Sequence, residues 1–191
     1  MKRAFVTGGS GFVGGRAIRE LRARGVEVAA LARSERAVST VEALGATAVR
    51  GDLDGIAAMQ LGMAGADVVI HAAAHVAEHG PIAEFLRVTV TGTEHALAAA
   101  RQAGVARFVH VSTEAVLADG KPIVRADETR PRAATPAGPY PLSKGLAEER
   151  VLAANRGGLA TVIVRPRFVW GAGDTSLLPR IIELVDRGRF A

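Results

Sequence analysis

Tyr140 is the single tyrosine of this 191-residue chain, and Lys144, one of three lysines, stands four positions after it in Tyr140-Pro141-Leu142-Ser143-Lys144. Four residues make about one helical turn, so a helix here sets the phenol and the ammonium on one face. A phenol with a pKa near 10 is a poor base at neutral pH. An ammonium about 4 Å away favours the phenolate by roughly 1 kcal/mol in water and roughly 4 kcal/mol at an effective dielectric of 20, on the order of 3 pK units. Only a partly dry site turns the pair into a device for moving a proton to or from a substrate oxygen. His71, His75 and His79, spaced by four, have metal-ligand chemistry, but no carboxylate spacing completes a ligand set and no metal is expected.

The elements that must hold the pair follow from hydrophobic runs. Short β-branched segments at 4–7, 26–31, 46–49, 67–70, 108–111 and 161–164 read as six strands, most of them buried on both faces. Helices are expected at 12–24, 35–44, 56–63, 82–103, 139–155 and 177–187, with Gly25, Gly45 and Gly104 as stops. Such alternation implies right-handed crossovers and an α/β fold, a Rossmann-type doubly wound parallel sheet with helices on both faces. Residues 117–139, with Pro122, Pro131, Pro136 and Pro139, read as a long loop before the Tyr140 helix.

Directly after the first strand comes Thr7-Gly8-Gly9-Ser10-Gly11-Phe12-Val13-Gly14. Glycine at such a turn permits the reversal, lets a pyrophosphate approach the backbone and lets helix and strand pack closely, while the helix N-terminus receives the phosphates. A dinucleotide is therefore the expected cofactor. The second strand ends in Leu31-Ala32-Arg33-Ser34, with no acid for the ribose hydroxyls of NAD, so Arg33, helped by Arg36, favours the 2′-phosphate of NADP over NAD.

The GxxGxxG turn together with Tyr140 and Lys144 resembles the extended short-chain dehydrogenase/reductase family, also called the NAD-dependent epimerase/dehydratase family. The likeness extends to His71-Ala72-Ala73-Ala74, Val90-Thr91-Gly92-Thr93, Val111-Ser112-Thr113, Arg165-Pro166 and Gly171-Ala172-Gly173-Asp174. Pro139 through Lys144 with Leu146-Ala147-Glu148 is most similar to the 3β-hydroxysteroid dehydrogenase and dihydroflavonol reductase branch. The resemblance implies Tyr140 as general acid/base, Lys144 as its electrostatic partner and ribose ligand, and Thr113 as the hydroxyl that holds the substrate oxygen, with Ser112 the alternative. It implies cofactor contacts from Gly8, Gly9, Ser10, Gly11, Phe12, Val13, Gly14, Arg33, Asp52, Leu53, His71, Ala72, Ala73, Ala74, Ser112, Tyr140, Lys144 and Pro166. Thr89 stands where the family usually has asparagine, Leu117 where it usually has an aromatic, and Glu114-Ala115 lacks the Asp-Glu pair of sugar-nucleotide dehydratases.

The implied activity is interconversion of a secondary alcohol and a ketone of steroid- or flavonoid-like type. Two alternatives are a nucleotide-sugar epimerase using the same site and a non-catalytic dinucleotide-binding protein. The family's usual length exceeds 300 residues, so residues 1–176 are expected to be the dinucleotide domain and 177–191 the start of a truncated substrate-binding region. A homodimer through the helices at 82–103 and 139–155 is also implied. A net charge of +5 and a pI near 10.6 raise the question of nucleic acid, but the arginines are dispersed and aromatics are only 4%, so none is expected. With no cysteine, no membrane-spanning run and no signal peptide, the expected compartment is the cytoplasm.

Overall fold

The computed structural model describes residues 1–77, 79–174 and 177–189. Six parallel strands, β1 (Arg3–Thr7), β2 (Glu27–Ala32), β3 (Thr47–Arg50), β4 (Val68–His71), β5 (Arg107–Val111) and β6 (Ala160–Val164), form one sheet in the order β3-β2-β1-β4-β5-β6. The helices are α1 (Phe12–Ala23), α2 (Glu35–Ala43), α3 (Ile56–Met63), α4 (Ile82–Phe85), α5 (Gly92–Gln102), α6 (Pro139–Ala153) and α7 (Leu177–Asp186). The chain runs outward from β1 to β3, then returns to add β4 on the other side of β1. In sheets of this kind, ligands bind beyond the strands' carboxyl ends at that reversal.

Side-chain alternation along β1 seeds two cores. Phe5 packs with Met59, Met63, Val69, Ala96, Phe108 and Val151 beneath α3, α5 and α6. Ala4 and Val6 join Ile18, Val28, Ala30, Val38 and Val41 beneath α1 and α2. Full burial of each larger apolar side chain is worth about 1.5–3 kcal/mol, so these layers hold the strand ends rigidly.

Two features differ from the sequence expectation. Burial on both faces fails at β6, where Val162 and Val164 are 55% and 41% exposed, because no described helix covers that face of the edge strand and α7 buries none of its residues. The expected continuous helix over 82–103 is instead α4, a π-helical turn at Leu86–Thr91, and α5. The Thr93 hydroxyl donates to the Thr89 carbonyl at 2.6 Å, and the Thr89 hydroxyl accepts from the His75 amide at 3.1 Å. Side-chain bonds of this kind compete with the helical ladder and accompany a widened turn.

The loop before α6 begins with a 3₁₀ turn at Glu114–Leu117 and stays irregular up to Gly138. Ala133 donates to the Val116 carbonyl at 2.9 Å, and Arg132 bonds the Gly145 carbonyl and the Glu149 carboxylate on α6. The Asp174 carboxylate caps α7, accepting from the amides of Leu177 and Leu178 at 3.2 and 2.8 Å. The domain boundary expected at 176, and Phe190 and Ala191 at the end of the second segment, lie outside the described residues. Among the described residues no helix is long and apolar enough to cross a membrane, and no cluster of metal-ligating side chains occurs.

Candidate active site

At the carboxyl ends of the strands lies a cleft of about 1210 Å³. One wall is the turn between β1 and α1. Gly8 has φ of +70°, and a Cβ built there would lie 2.7 Å from the Ala73 amide nitrogen. A Cβ on Gly14 would lie 2.2 Å from the Gly8 carbonyl oxygen. Both glycines therefore let the turn, α1 and the backbone after β4 pack closer than a Cβ would allow. Gly11 caps α1 without a side-chain bond, and the first turn of the helix carries no acid, so its amides and dipole remain available to an anion. Gly8, Ser10, Gly11, Phe12, Val13 and Gly14 line the cleft, as do Ala72, Ala73 and Ala74 after β4.

Beyond β2 the cleft is edged by Arg33, Ser34, Arg36 and Thr40. Ser34 caps α2 by accepting from the Ala37 amide at 3.2 Å. Glu35 is engaged by Arg50, whose Nη2 donates to Oε2 at 2.8 Å, and both side chains of that pair are exposed. Among the described residues neither Arg33 nor Arg36 has an acidic partner. Asp52 and Leu53 line the same end; the Asp52 carboxylate closes a turn onto the Asp54 amide at 3.0 Å, and Leu53 packs against Gly92 of α5.

The opposite wall comes from β5 and α6. Pro139 occupies the first turn of α6, where its missing N–H costs nothing. Tyr140 and Lys144 both reach the cleft, with Ser112, Thr113 and Pro166 beside them. Burial pushes the Tyr140 phenol above its ordinary value and the Thr113 side chain acts in the opposite sense, so the lowering expected from Lys144 is outweighed by desolvation and is not found. Thr113 also caps the 3₁₀ turn, accepting from the Ala115 amide at 3.2 Å. The Lys144 amine donates to the Val111 carbonyl at 2.7 Å and lies 3.3 Å from His110 Nε2. Burial lowers its pKa to about 8, partly offset by the Glu148 carboxylate. Lysine and glutamate are almost never fully buried unless paired, and Glu148 is held bidentately by Arg165 at 2.9 and 2.8 Å. That clamp fixes the end of β6 against α6 and so sets Pro166 at the cleft edge.

Two expected cofactor residues lie behind the cleft instead of lining it. Gly9 faces the core, where an added Cβ would lie 2.8 Å from Ile18. His71 is fully buried, and its hydrogen bonds define one direction. The Ala73 amide donates to Thr7 Oγ1 at 3.3 Å, leaving the Thr7 hydroxyl to donate to His71 Nδ1 at 2.7 Å. His71 Nε2 then donates to Thr93 at 3.0 Å, whose own hydrogen goes to Thr89. Desolvation lowers the His71 pKa to about 3, so it stays neutral and braces the floor. Sequence reading gave no role to Thr7, Thr93 or His110. The available signal was the strand pairing, which sets His71 beside His110 in register.

A switch-point cleft with a glycine cradle on one wall and a tyrosine-lysine turn on the other defines a nucleotide-binding domain of the extended short-chain dehydrogenase/reductase class. Residues 5–190 match the 3-beta hydroxysteroid dehydrogenase/isomerase family, and the chain belongs to it. The chain is 51% identical over 188 residues to the 4-hydroxy-2-methyl-3-oxo-4-farnesyl-3,4-dihydroquinoline-1-oxide ketoreductase of Stigmatella aurantiaca, covering 98% of this chain and 56% of that protein. It is 38% identical over 190 residues to the 2-alkyl-3-oxoalkanoate reductase of Stenotrophomonas maltophilia, covering 98% of this chain and 57% of that protein. The solved structure of MoeE5 in complex with UDP-glucose and NAD superposes with a TM-score of 0.80 at 28% identity, over 97% of this chain and 62% of that one. The chain thus spans about half the length of the curated relatives it matches.

Proposed function

We propose that this chain carries the cofactor site and proton donor of an NAD(P)H-dependent ketoreductase, with residues 177–191 opening its substrate-binding region. The observation that carries the reading is convergence: Tyr140, Lys144 and Thr113, from two elements on one side of the switch point, share a cleft with the glycine cradle on the other. A dinucleotide fits that cradle because Gly8 and Gly14 let the turn close tightly, and the N-terminus of α1 has no side-chain cap to occupy its amides. Arg33 and Arg36 at the end of β2 support NADP, since two guanidinium groups without acidic partners suit a 2′-phosphate. Asp52 and Leu53 would border the adenine.

A reduced nicotinamide bound in this cleft supplies a hydride to a carbonyl carbon. The carbonyl oxygen then needs a proton, and Tyr140 is its source. Its raised pKa keeps the phenol protonated at neutral pH, which suits donation to a ketone. Thr113, which lines the cleft beside the same phenol, would orient the oxygen, and the Lys144 ammonium in that cleft would offset the charge of the phenolate left behind. Of the two curated relatives named above, one is a ketoreductase and the other a 2-alkyl-3-oxoalkanoate reductase, which supports a ketone substrate, with 3-oxo acyl compounds as the first class to try.

The test uses the full chain with NADPH and a panel of 2-alkyl-3-oxoalkanoate esters and 3-ketosteroids. The expected outcome is stoichiometric NADPH consumption with a hydroxy product identified by mass spectrometry. Interconversion of UDP-sugars without net cofactor consumption identifies an epimerase instead. Tight NADPH binding with neither reaction leaves the non-catalytic reading.

A further inference from the structure

His110 is the fourth of the five residues of β5, buried in the sheet where an apolar residue would ordinarily pack. It is fully buried, and its ring stacks on His71 of the neighbouring strand at 5.4 Å between centroids and 26° between planes. The two imidazoles are not equivalent. His71 is bonded through both nitrogens to threonines, so it has no capacity left for its neighbour. His110 has one contact, Nε2 to the Lys144 amine, and its Nδ1 is buried with no partner. Among the described residues the only other orphaned buried side-chain atom is the hydroxyl of Ser112, two residues further on. Orphans are uncommon in folded proteins, and one next to a candidate site calls for a reason.

An ammonium has donors and no lone pair, so at the 3.3 Å contact the histidine nitrogen must accept. The ring proton therefore resides on Nδ1, the atom left unpaired. An unsatisfied donor is retained where satisfying it would turn the ring and remove the acceptor from the lysine. We propose that His110 is the positioning residue of Lys144: its Nε2 lone pair, presented from inside the sheet, joins the Val111 carbonyl in fixing the lysine amine with its remaining donor toward the cleft. The inference rests on the reading of Lys144 as a working group of the site.

The charged and titratable groups around the amine are few. His71 approaches from β4, while Tyr140 and Glu148 lie on α6, the latter clamped by Arg165 from beyond β6. Burial and the facing ammonium hold His110 well below the ordinary histidine range, so it is a neutral acceptor at working pH. His71 stays neutral for the same first reason. The acceptor thus does not titrate together with the lysine it holds.

The chain has three lysines, and Lys2 and Lys121 are exposed, which gives the experiment internal references. The full chain labelled with ¹³C at lysine Cε is titrated by NMR, without cofactor or ketone. The wild-type spectrum should contain one lysine with a midpoint below the other two. His110→Phe keeps the ring shape and removes the lone pair, and should lower the Lys144 midpoint by a further one to two pH units, since a lost charged hydrogen bond is worth about that much. His110→Gln reaches the same point with an amide oxygen and should restore the wild-type midpoint. Equal midpoints in all three proteins, or an equal displacement in both variants, overturn the proposal. Should His110→Phe fail to fold, long-range ¹H–¹⁵N correlation on the wild-type protein decides: the Nδ1–H tautomer is required, and an Nε2–H tautomer overturns it. Neither measurement needs turnover, so loss of the ketoreductase reading through the substrate panel is a separate result.

Discussion

On the glycine wall of the cleft the turn offers main-chain amides, and at Gly8 and Gly14 a side chain is missing because neighbouring backbone leaves no room for one. A Cβ at Gly14 would sit 2.2 Å from the Gly8 oxygen. On the tyrosine wall, the groups are side chains drawn from β5 and α6, and each is held by a partner from somewhere else: Tyr140 by Thr113, Lys144 by His110 and Val111, Glu148 by Arg165. The first wall is local and made by Gly8, Gly11 and Gly14 within seven residues. The second is tertiary and made by pairings across 17 to 34 residues of sequence. Binding chemistry of the first kind tolerates almost no added atom, whereas the second tolerates substitution wherever a partner can be replaced in kind.

Three changes press on that contrast. Gly14→Ala places a methyl group against backbone that cannot retreat, so NADPH affinity measured by calorimetry should fall about 100-fold, in line with overpacking strain of up to about 3 kcal/mol. An unchanged affinity would mean the turn is looser than its geometry. Lys144→Met probes the other wall through stability. Burial holds the amine at about pH 8 against 10.5 in the open chain, so between those values the unfolded state binds more protons and wild-type stability rises with pH. Below pH 8 both states are protonated and the cost of the buried charge is fully present. The stability advantage of Lys144→Met over wild type should therefore shrink by roughly 2–3 kcal/mol between pH 8 and 10.5 in urea unfolding. A pH-independent difference would place the lysine in a wetter setting. Arg33→Ala, at the open end of the glycine wall, should weaken NADPH by about tenfold and leave NADH unchanged. Equal losses for both cofactors would remove the argument for the 2′-phosphate.

How much of this was legible before the structure follows the same division. The glycine turn, the six strands and their helices could be read because each depends on neighbours within a few residues, and their alternation implied a doubly wound parallel sheet, while the strand order itself came from the structure. Tyr140 and Lys144 could be read because a helical turn joins them. The hydrogen-bonded floor of Thr7, His71, Thr93 and Thr89 could not, since it spans β1, β4 and α5 and none of its members is unusual alone. The π-helical turn left only an indirect trace: Val88-Thr89-Val90-Thr91-Gly92 is a run of poor helix formers, but the Thr93–Thr89 and His75–Thr89 bonds that mark where the ladder widens are tertiary or conformational and cannot be read from composition. β6 misled because its apolar residues imply cover that no described helix provides. α6 concealed its inward face, where the buried positions include a lysine and a glutamate whose partners lie on other elements.

The central claim is that Tyr140 delivers the proton, and the direct measurement compares wild type with Tyr140→Phe in single-turnover reduction of a ketone by NADPH. Removing one hydroxyl oxygen at a partly buried site should leave the fold and NADPH affinity unchanged while the rate falls by about 10²- to 10⁴-fold. A rate within a factor of three of wild type, with folding and binding intact, would contradict the account.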